Sequence, residues 1–372
     1  MSVSPKPPAP TKQRKSYALN QCVLFKVGSK KRLAQILNVN VRDLIRLSAD
    51  DGNFEVFELE ARICEFTGTT RKARWVQNPI PDLKTVLARI TKLLSRIESP
   101  DYCHGATPGR SYRSNAQVHV SAPSIATFDL KSFFSSTTST QVFRFFHKDL
   151  QCPKDVAGLL TDLCTYKRKL PTGAPSSPVL AYWANRGLFE TIDQRGKALQ
   201  LTLSVYVDDI TLSGNTIPRS LTNQVDGIVN SHGHNLSRHK TKIFGPSRPK
   251  HVTGVVIADG ALRVPHSRFR KARAIRAAFD SEKDDRRRTL LAAKLCGLLG
   301  EAAFLDARFK KMAADSVKLL AAAKAKHSSY PTRRIAKKSK QTVSPTTHAR
   351  KLTLQDQSQT PISHHKNKIK IA

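Results

Sequence analysis

SVYVDDITLSG, residues 204–214, is the stretch whose reading decides the fold. With the preceding Leu201, Thr202 and Leu203 it is rich in β-branched and aromatic residues, the composition of a strand. Asp208 and Asp209 interrupt it. Two adjacent carboxylates are poor strand formers, so the simplest reading is two strands joined by a tight hairpin. Some eighty positions upstream, SIATFDL (124–130) reads as another strand, and it ends in a third carboxylate, Asp129. Three carboxylates at strand ends can converge to hold two magnesium ions. Such a pair would align a hydroxyl and a triphosphate for in-line displacement and neutralise charge on the attacking and leaving oxygens. An Asp-Asp pair in an ordinary surface turn looks the same in isolation.

Working outward, helical stretches are expected around 140–165 and 178–196, separated by the Gly/Pro-rich segment LPTGAPSSP (170–178). A further strand is expected at 252–257, followed by a long helical region, 266–325, with Gly297 and Gly300 in its middle. Upstream, 79–97 (PIPDLKTVLARITKLLSRI) puts Leu83, Val86, Leu87, Ile90, Leu93, Leu94 and Ile97 on one helical face. GSKKRLAQILNVNVRDLIRLS (28–48) reads as two short helices, with Ser29 capping the first and Asn38 closing it. That pair fits either a DNA-reading unit or a helical pair at a domain edge. Strands and helices mix without strict βαβ alternation, so the fold class is α+β, a sheet with helices on one face. No internal repeat is apparent.

The chain has 372 residues, with 63 Lys/Arg against 28 Asp/Glu and a net charge of +35. A self-repelling surface of that size calls for a polyanion, and nucleic acid suits it best. Twelve of the basic residues and one aspartate lie from residue 324 onward, so the rest still carries 51 basic and 27 acidic residues. No stretch has the length of apolar residues that a membrane span needs, and no signal-peptide region opens the chain. Six scattered cysteines without a CxxC pair argue against a zinc ribbon or a disulfide framework.

FDLKSFFSS (128–136), LPTGAPSSP (170–178) and SVYVDDITLSG (204–214) stand in the order and spacing of the palm motifs of reverse transcriptases, and the chain resembles that family. It is most similar to the bacterial retron type. Asn115-Ala116-Gln117-Val118-His119 fits that type's NAxxH motif, Val252-Thr253-Gly254 fits its VTG motif, and His104-Gly105 with Gly109-Arg110-Ser111 sits where its HG…GRS segment does. The resemblance covers roughly residues 28–325 and implies a right-hand polymerase of fingers, palm and thumb.

The same resemblance implies roles for residues. Asp129, Asp208 and Asp209 would be catalytic and hold two Mg2+ ions, with the Leu130 carbonyl a further ligand. Phe134 would be the steric gate that crowds a ribose 2′-hydroxyl, or else a core aromatic. Arg74 would grip the triphosphate, although KARWVQNP departs from the family's usual pattern there. Gly173 and Ala174 would approach the nucleotide by their backbone. Position 172 is Thr where many relatives have Gln. Lys240 would stand near the pyrophosphate, or else be a surface lysine. Asn115, His119, Val252, Thr253 and Gly254 would hold the RNA, or else be a capped turn and a strand end. Arg268, Arg270, Lys271 and Arg273, close together in RFRKARAIRAAF (268–279), would track a duplex backbone.

The expected organisation is a disordered segment (1–27), fingers with the RNA-docking motifs (28–122) and a palm (123–260) whose helical insertion, 137–168, contributes to the fingers. A helical thumb (261–325) and a basic disordered tail (326–372) complete it. The expected activity is RNA-directed DNA polymerase, copying part of a cognate structured noncoding RNA from one of its own 2′-hydroxyls into a branched RNA–DNA product. Deoxynucleoside triphosphates would be its substrates, an effector protein its partner in antiviral defence, and the bacterial cytoplasm its location, with no membrane and oligomerisation left open. The alternatives are an abortive-infection or diversity-generating reverse transcriptase, or a catalytically silent RNA-binding scaffold. Crowding three carboxylates near RNA phosphates would give a scaffold nothing.

Overall fold

Residues 16–49 and 51–328 are described by the computed structural model. The expected disorder through residue 27 does not hold for 16–27. The Tyr17 hydroxyl donates to the Leu93 carbonyl (2.6 Å), the Lys26 amide donates to the Leu150 carbonyl (2.8 Å), and Leu24 is fully buried. Apolar side chains at 19, 22, 24 and 25 give this stretch enough surface to pack. Residues 1–15 and the tail beyond 328 lie outside the described residues.

Helices α1 (Lys30–Leu37) and α2 (Val41–Ala49) form the expected pair. The Ser29 hydroxyl accepts from the Arg32 amide, and Asn38 ends α1 in the left-handed conformation. Leu33, Leu37, Leu44 and Leu47 are buried in the main core, so this is a packed edge element. Strands β1 (Phe54–Leu59) and β4 (Arg74–Pro79) make an antiparallel ribbon, extended by the short strands β2 (Arg62–Ile63) and β3 (Thr70–Arg71). Helix α3 (Pro81–Leu94) starts with Pro81 at its first turn and buries the leucine face read from the sequence.

After α4 (Tyr112–Gln117), strand β5 (Ser124–Asp129) leads into α5 (Phe133–Ser136) and α6 (Ser139–Arg144). A single π turn (Phe145–Asp149) joins α6 to α7 (Lys154–Cys164), and α8 (Ser177–Ala184) and α9 (Arg186–Ala198) follow. The hairpin is β6 (Thr202–Tyr206) and β7 (Asp209–Gly214); α10 (Leu221–Ser231) and β8 (Lys242–Phe244) come next. These strands form one antiparallel sheet in the order β6-β7-β5-β8.

Helices were expected on one face of that sheet, yet both faces are covered. Ala126 and Phe128 of β5 enter the large helical core, whereas Ile125 enters a second cluster with Ala116, Val252, Val255 and Ile257. The reason is a separate three-stranded sheet, β9 (Lys250–Val252), β10 (Val255–Ala258) and β11 (Ala261–Arg263). It splits the expected 252–257 strand at the Thr253-Gly254 turn, and β11 occupies the start of the expected thumb, 261–325, ahead of the long helical region. That region is α11 (His266–Ser281), α12 (Asp285–Leu305) and α13 (Lys310–Ser328). The β2–β3 tip of the ribbon touches it. Phe66 packs with Ile275, Leu295 and Leu299, and Glu65 pairs with Lys294 at 3.1 Å. Among the described residues no helix is long and apolar enough to cross a membrane.

Candidate active site

Pairing in the main sheet brings the carboxylate strand ends together. Asp129 stands opposite Asp209, Asp209 opposite Tyr206, and the Leu130 amide donates to the Asp208 carbonyl (2.9 Å). Val207 and Asp208 are thus a two-residue hairpin loop. Val207 has φ 60°, a left-handed conformation that costs a β-branched residue about 1–3 kcal/mol and clusters at functional turns. A cleft of about 380 Å3 opens here, lined among others by Asp129, Leu130, Phe134, Thr172, Val207, Asp208 and Lys240.

Burial, then the neighbouring Asp208 and Asp129, pushes the Asp209 carboxyl up to about 7, and burial with Asp129 raises that of Asp208. The Lys240 ammonium answers part of this charge, donating to both Asp129 oxygens at 2.9 and 2.8 Å. That hydrogen bond raises the pKa of Lys240, so its proton is held. Among the described residues no three carboxylate, imidazole or thiol groups are drawn together as a metal cage. The donor set nevertheless fits a hard divalent cation: the buried Asp129 and the half-buried Asp208 and Asp209 supply three carboxylates, and one lysine is too little positive charge for them.

Phe134 is half-buried, stacked beside the buried Phe133 with ring centroids 6.4 Å apart, and it both packs against the main core and lines the cleft. The 170–178 loop seats against β4. The Thr172 amide and hydroxyl donate to the Gln77 side-chain carbonyl at 3.1 and 3.2 Å. A Cβ on Gly173 would lie 2.4 Å from the Gln77 carbonyl oxygen. Gly173 is therefore required by the approach of two backbones. Ala174 is buried in the core and lines no part of the cleft. Arg74 is exposed at the far end of β4, outside the cleft lining.

Asn115 and His119 were expected on an RNA-holding surface, and both are fully buried. The His119 ring sits between the hydroxyls of Ser213 (Nδ1, 2.6 Å) and Ser204 (Nε2, 2.6 Å), and burial lowers its pKa to about 3. It is a neutral imidazole tying α4 to both strands of the Asp208 hairpin. The Asn115 amide donates to the Thr253 hydroxyl at 2.7 Å. Thr253 (φ 48°) and Gly254 (φ 74°) form the two-residue turn between β9 and β10, and Val252 is buried. The NAxxH and VTG motifs thus join the small sheet to the hairpin, and neither Asn115 nor His119 reaches solvent. His104 belongs to the same scaffold: its amide donates to Val205 (2.8 Å), and its ring contacts Ser114 (2.9 Å).

On α11, Arg268 pairs with Glu301 at 2.7 Å, and Lys271 lies beside Cys64, whereas Arg270 and Arg273 are exposed. The basic face is narrower than the sequence suggests. Sequence reasoning missed Ser204, Ser213 and Gln77. The two serines occupy inward positions of the hairpin strands, and a hydroxyl among β-branched neighbours was the available signal.

An antiparallel sheet with carboxylates at a strained hairpin, flanked by a phenylalanine and a lysine, defines a nucleotidyltransferase site. The reverse transcriptase (RNA-dependent DNA polymerase) family profile matches residues 68–257, half of the chain, so the chain belongs to the reverse transcriptase family. Within it the chain is similar to enzymes of the retron type. It is 29% identical over 227 residues to the retron Ec86 reverse transcriptase of Escherichia coli, covering 60% of this chain and 69% of that protein. It is 30% identical over 210 residues to the retron Se72 enzyme of Salmonella heidelberg (strain 579083-10), covering 53% and 55%. To the retron Mx162 enzyme of Myxococcus xanthus it is 26% identical over 242 residues, covering 56% and 50%. The chain spans half to about two thirds of the length of these relatives.

Proposed function

We propose that the protein copies part of a cognate structured noncoding RNA into DNA, starting from a 2′-hydroxyl of that RNA and giving a branched RNA–DNA product. In this reading β1–β4 with α1–α3 are the fingers, the main sheet is the palm and α11–α13 are the thumb. The observation that carries it is the register of Asp129 against Asp209 at the mouth of a cleft walled by Phe134 and Lys240. The retron names of the relatives support the RNA-linked reading.

Asp129, Asp208 and Asp209, with the Leu130 carbonyl, would hold two magnesium ions, which when bound supply charge neutralisation for nucleotidyl transfer. The chain's own groups do the rest. The sheet fixes the carboxylates at one end of the cleft, and the Val207 turn holds Asp208 toward it. Lys240 keeps an ammonium at the wall, placed to screen a departing pyrophosphate or give it a proton. Phe134 narrows the cleft where a sugar would sit, rejecting the extra hydroxyl of a ribonucleotide. A role in antiviral defence with an effector protein in the bacterial cytoplasm belongs to the same proposal.

The test is to sequence the nucleic acid that copurifies with the protein. A short DNA covalently joined to RNA through a 2′ linkage is expected. Unbranched DNA alone would point to another reverse transcriptase type, and RNA alone from an enzyme inactive on primed templates would leave a binding scaffold.

A further inference from the structure

Trp75 is an exposed indole on β4, directly opposite Glu58 of β1: 59% of its surface is open to solvent. Large aromatics are normally kept from such exposure unless something covers them. Side chains alternate along a strand, so Trp75 shares a face of β4 with Gln77. Gln77 accepts from Thr172, the Thr172 hydroxyl also donates to the Trp75 carbonyl (3.2 Å), and Thr172 lines the carboxylate cleft. The indole therefore stands two residues out from the cleft wall.

The chain just before it is cationic. Arg62 and Arg71 are direct cross-strand partners, both exposed. Like charges placed opposite each other destabilise a strand pair, so this arrangement asks for an anion between them. A second cleft, of about 960 Å3, lies beside these arginines and is also lined by Lys271 and Lys294, with Glu65 as its one carboxylate. Aromatic face and cationic track together match a single nucleic-acid strand: bases stack, and phosphates follow the charge.

We infer that Trp75 is the stacking platform for an unpaired base of the template RNA entering the cleft, with Arg62 and Arg71 holding the phosphates behind it. The choice of RNA rests on the function proposed above; the platform itself does not.

The chain has two tryptophans, and Trp183 is buried. Intrinsic fluorescence therefore separates them. Titrating the full-length protein with an unstructured uridine 12-mer should quench the exposed emission and leave the buried emission unchanged. Trp75→Ala should weaken binding of this oligomer about tenfold at every salt concentration, and Trp75→Phe less than threefold. Arg62→Gln with Arg71→Gln should lower the slope of log affinity against log salt by about 1.4, about 0.7 for each phosphate no longer neutralised. A preserved Trp183 emission in each Trp75 variant reports that it is folded. Quenching by a deoxythymidine 12-mer as well would support a platform that reads bases whatever the sugar. Absence of quenching, or unchanged affinity in a folded Trp75→Ala, overturns the inference even where the wild type extends a primed RNA template. Failure of that extension, with quenching intact, would instead overturn the proposed function.

Discussion

Asp208 contributes a carboxylate to the cleft and, through its carbonyl, accepts from the Leu130 amide. Asparagine keeps the second role and loses the first. Asp208→Asn is therefore expected to fold normally and to lose primer extension by about 10²–10³-fold or more, the scale for removing one charge-stabilising group. Unfolding curves and extension gels together check it, and near wild-type extension would remove this carboxylate from the site. Phe134 tests the other wall. Its half-buried ring can be removed with modest damage to packing, and discrimination by clash vanishes with the bulk that causes it. Phe134→Ala should raise the use of ribonucleotides relative to deoxynucleotides at least tenfold, read by single-nucleotide incorporation. Unchanged selectivity would assign the ring to the core alone.

At the scale of elements, the 170–178 loop is held to β4 by backbone proximity, and Gly173 is the residue that permits it. Gly173→Ala puts a methyl into a fixed carbonyl, so the loop must lift from β4. Overpacking of this kind costs about 1–3 kcal/mol. The expected result is a lower urea midpoint together with a rise in KM for nucleotide, since Thr172 would leave the cleft wall; a change in neither would show that the loop tolerates the shift. The elements themselves were largely legible, because the leucines of α3, the cap at Ser29 and the turn at Asp208 are local signals. What the sequence hid was pairing between distant segments. VTG and NAxxH read as exposed motifs because nothing local says that Thr253 meets Asn115 across 138 positions, or that His119 finds serines 85 and 94 residues away. Burial of a polar side chain depends on partners that only the fold supplies. The order of residues 16–27 was hidden for the same reason: prolines and lysines just before them masked an apolar patch whose partner, α3, lies some seventy residues on.

Across the whole molecule, three histidines sit at the joints between these elements. His119 ties α4 to the main hairpin, His104 lies under β6, and the His234 ring contacts Ser136 (2.7 Å) and Asn185 (2.8 Å). Burial lowers all three, His119 to about 3 and His104 and His234 to about 4. An unfolded histidine takes up its proton near 6.5, whereas these wait until the pH is far lower. Their contribution is thus fully present above pH 6.5 and is lost as pH falls toward 4, by about 2 kcal/mol for each at pH 5. Asp209 works in the opposite sense. Its folded pKa, about 7, lies above the ordinary carboxylate value, so protonation between pH 7 and 4 stabilises the fold. Net acid sensitivity is the difference between the two, and single variants separate them. His119→Gln removes one titrating joint and should flatten the fall in stability between pH 6.5 and 4, even though the variant is less stable at pH 7. Asp209→Asn should steepen the same fall by removing the opposing group. Urea midpoints of the three proteins at half-unit pH intervals decide it; parallel curves would mean that His119 and Asp209 titrate alike in the folded and unfolded chains.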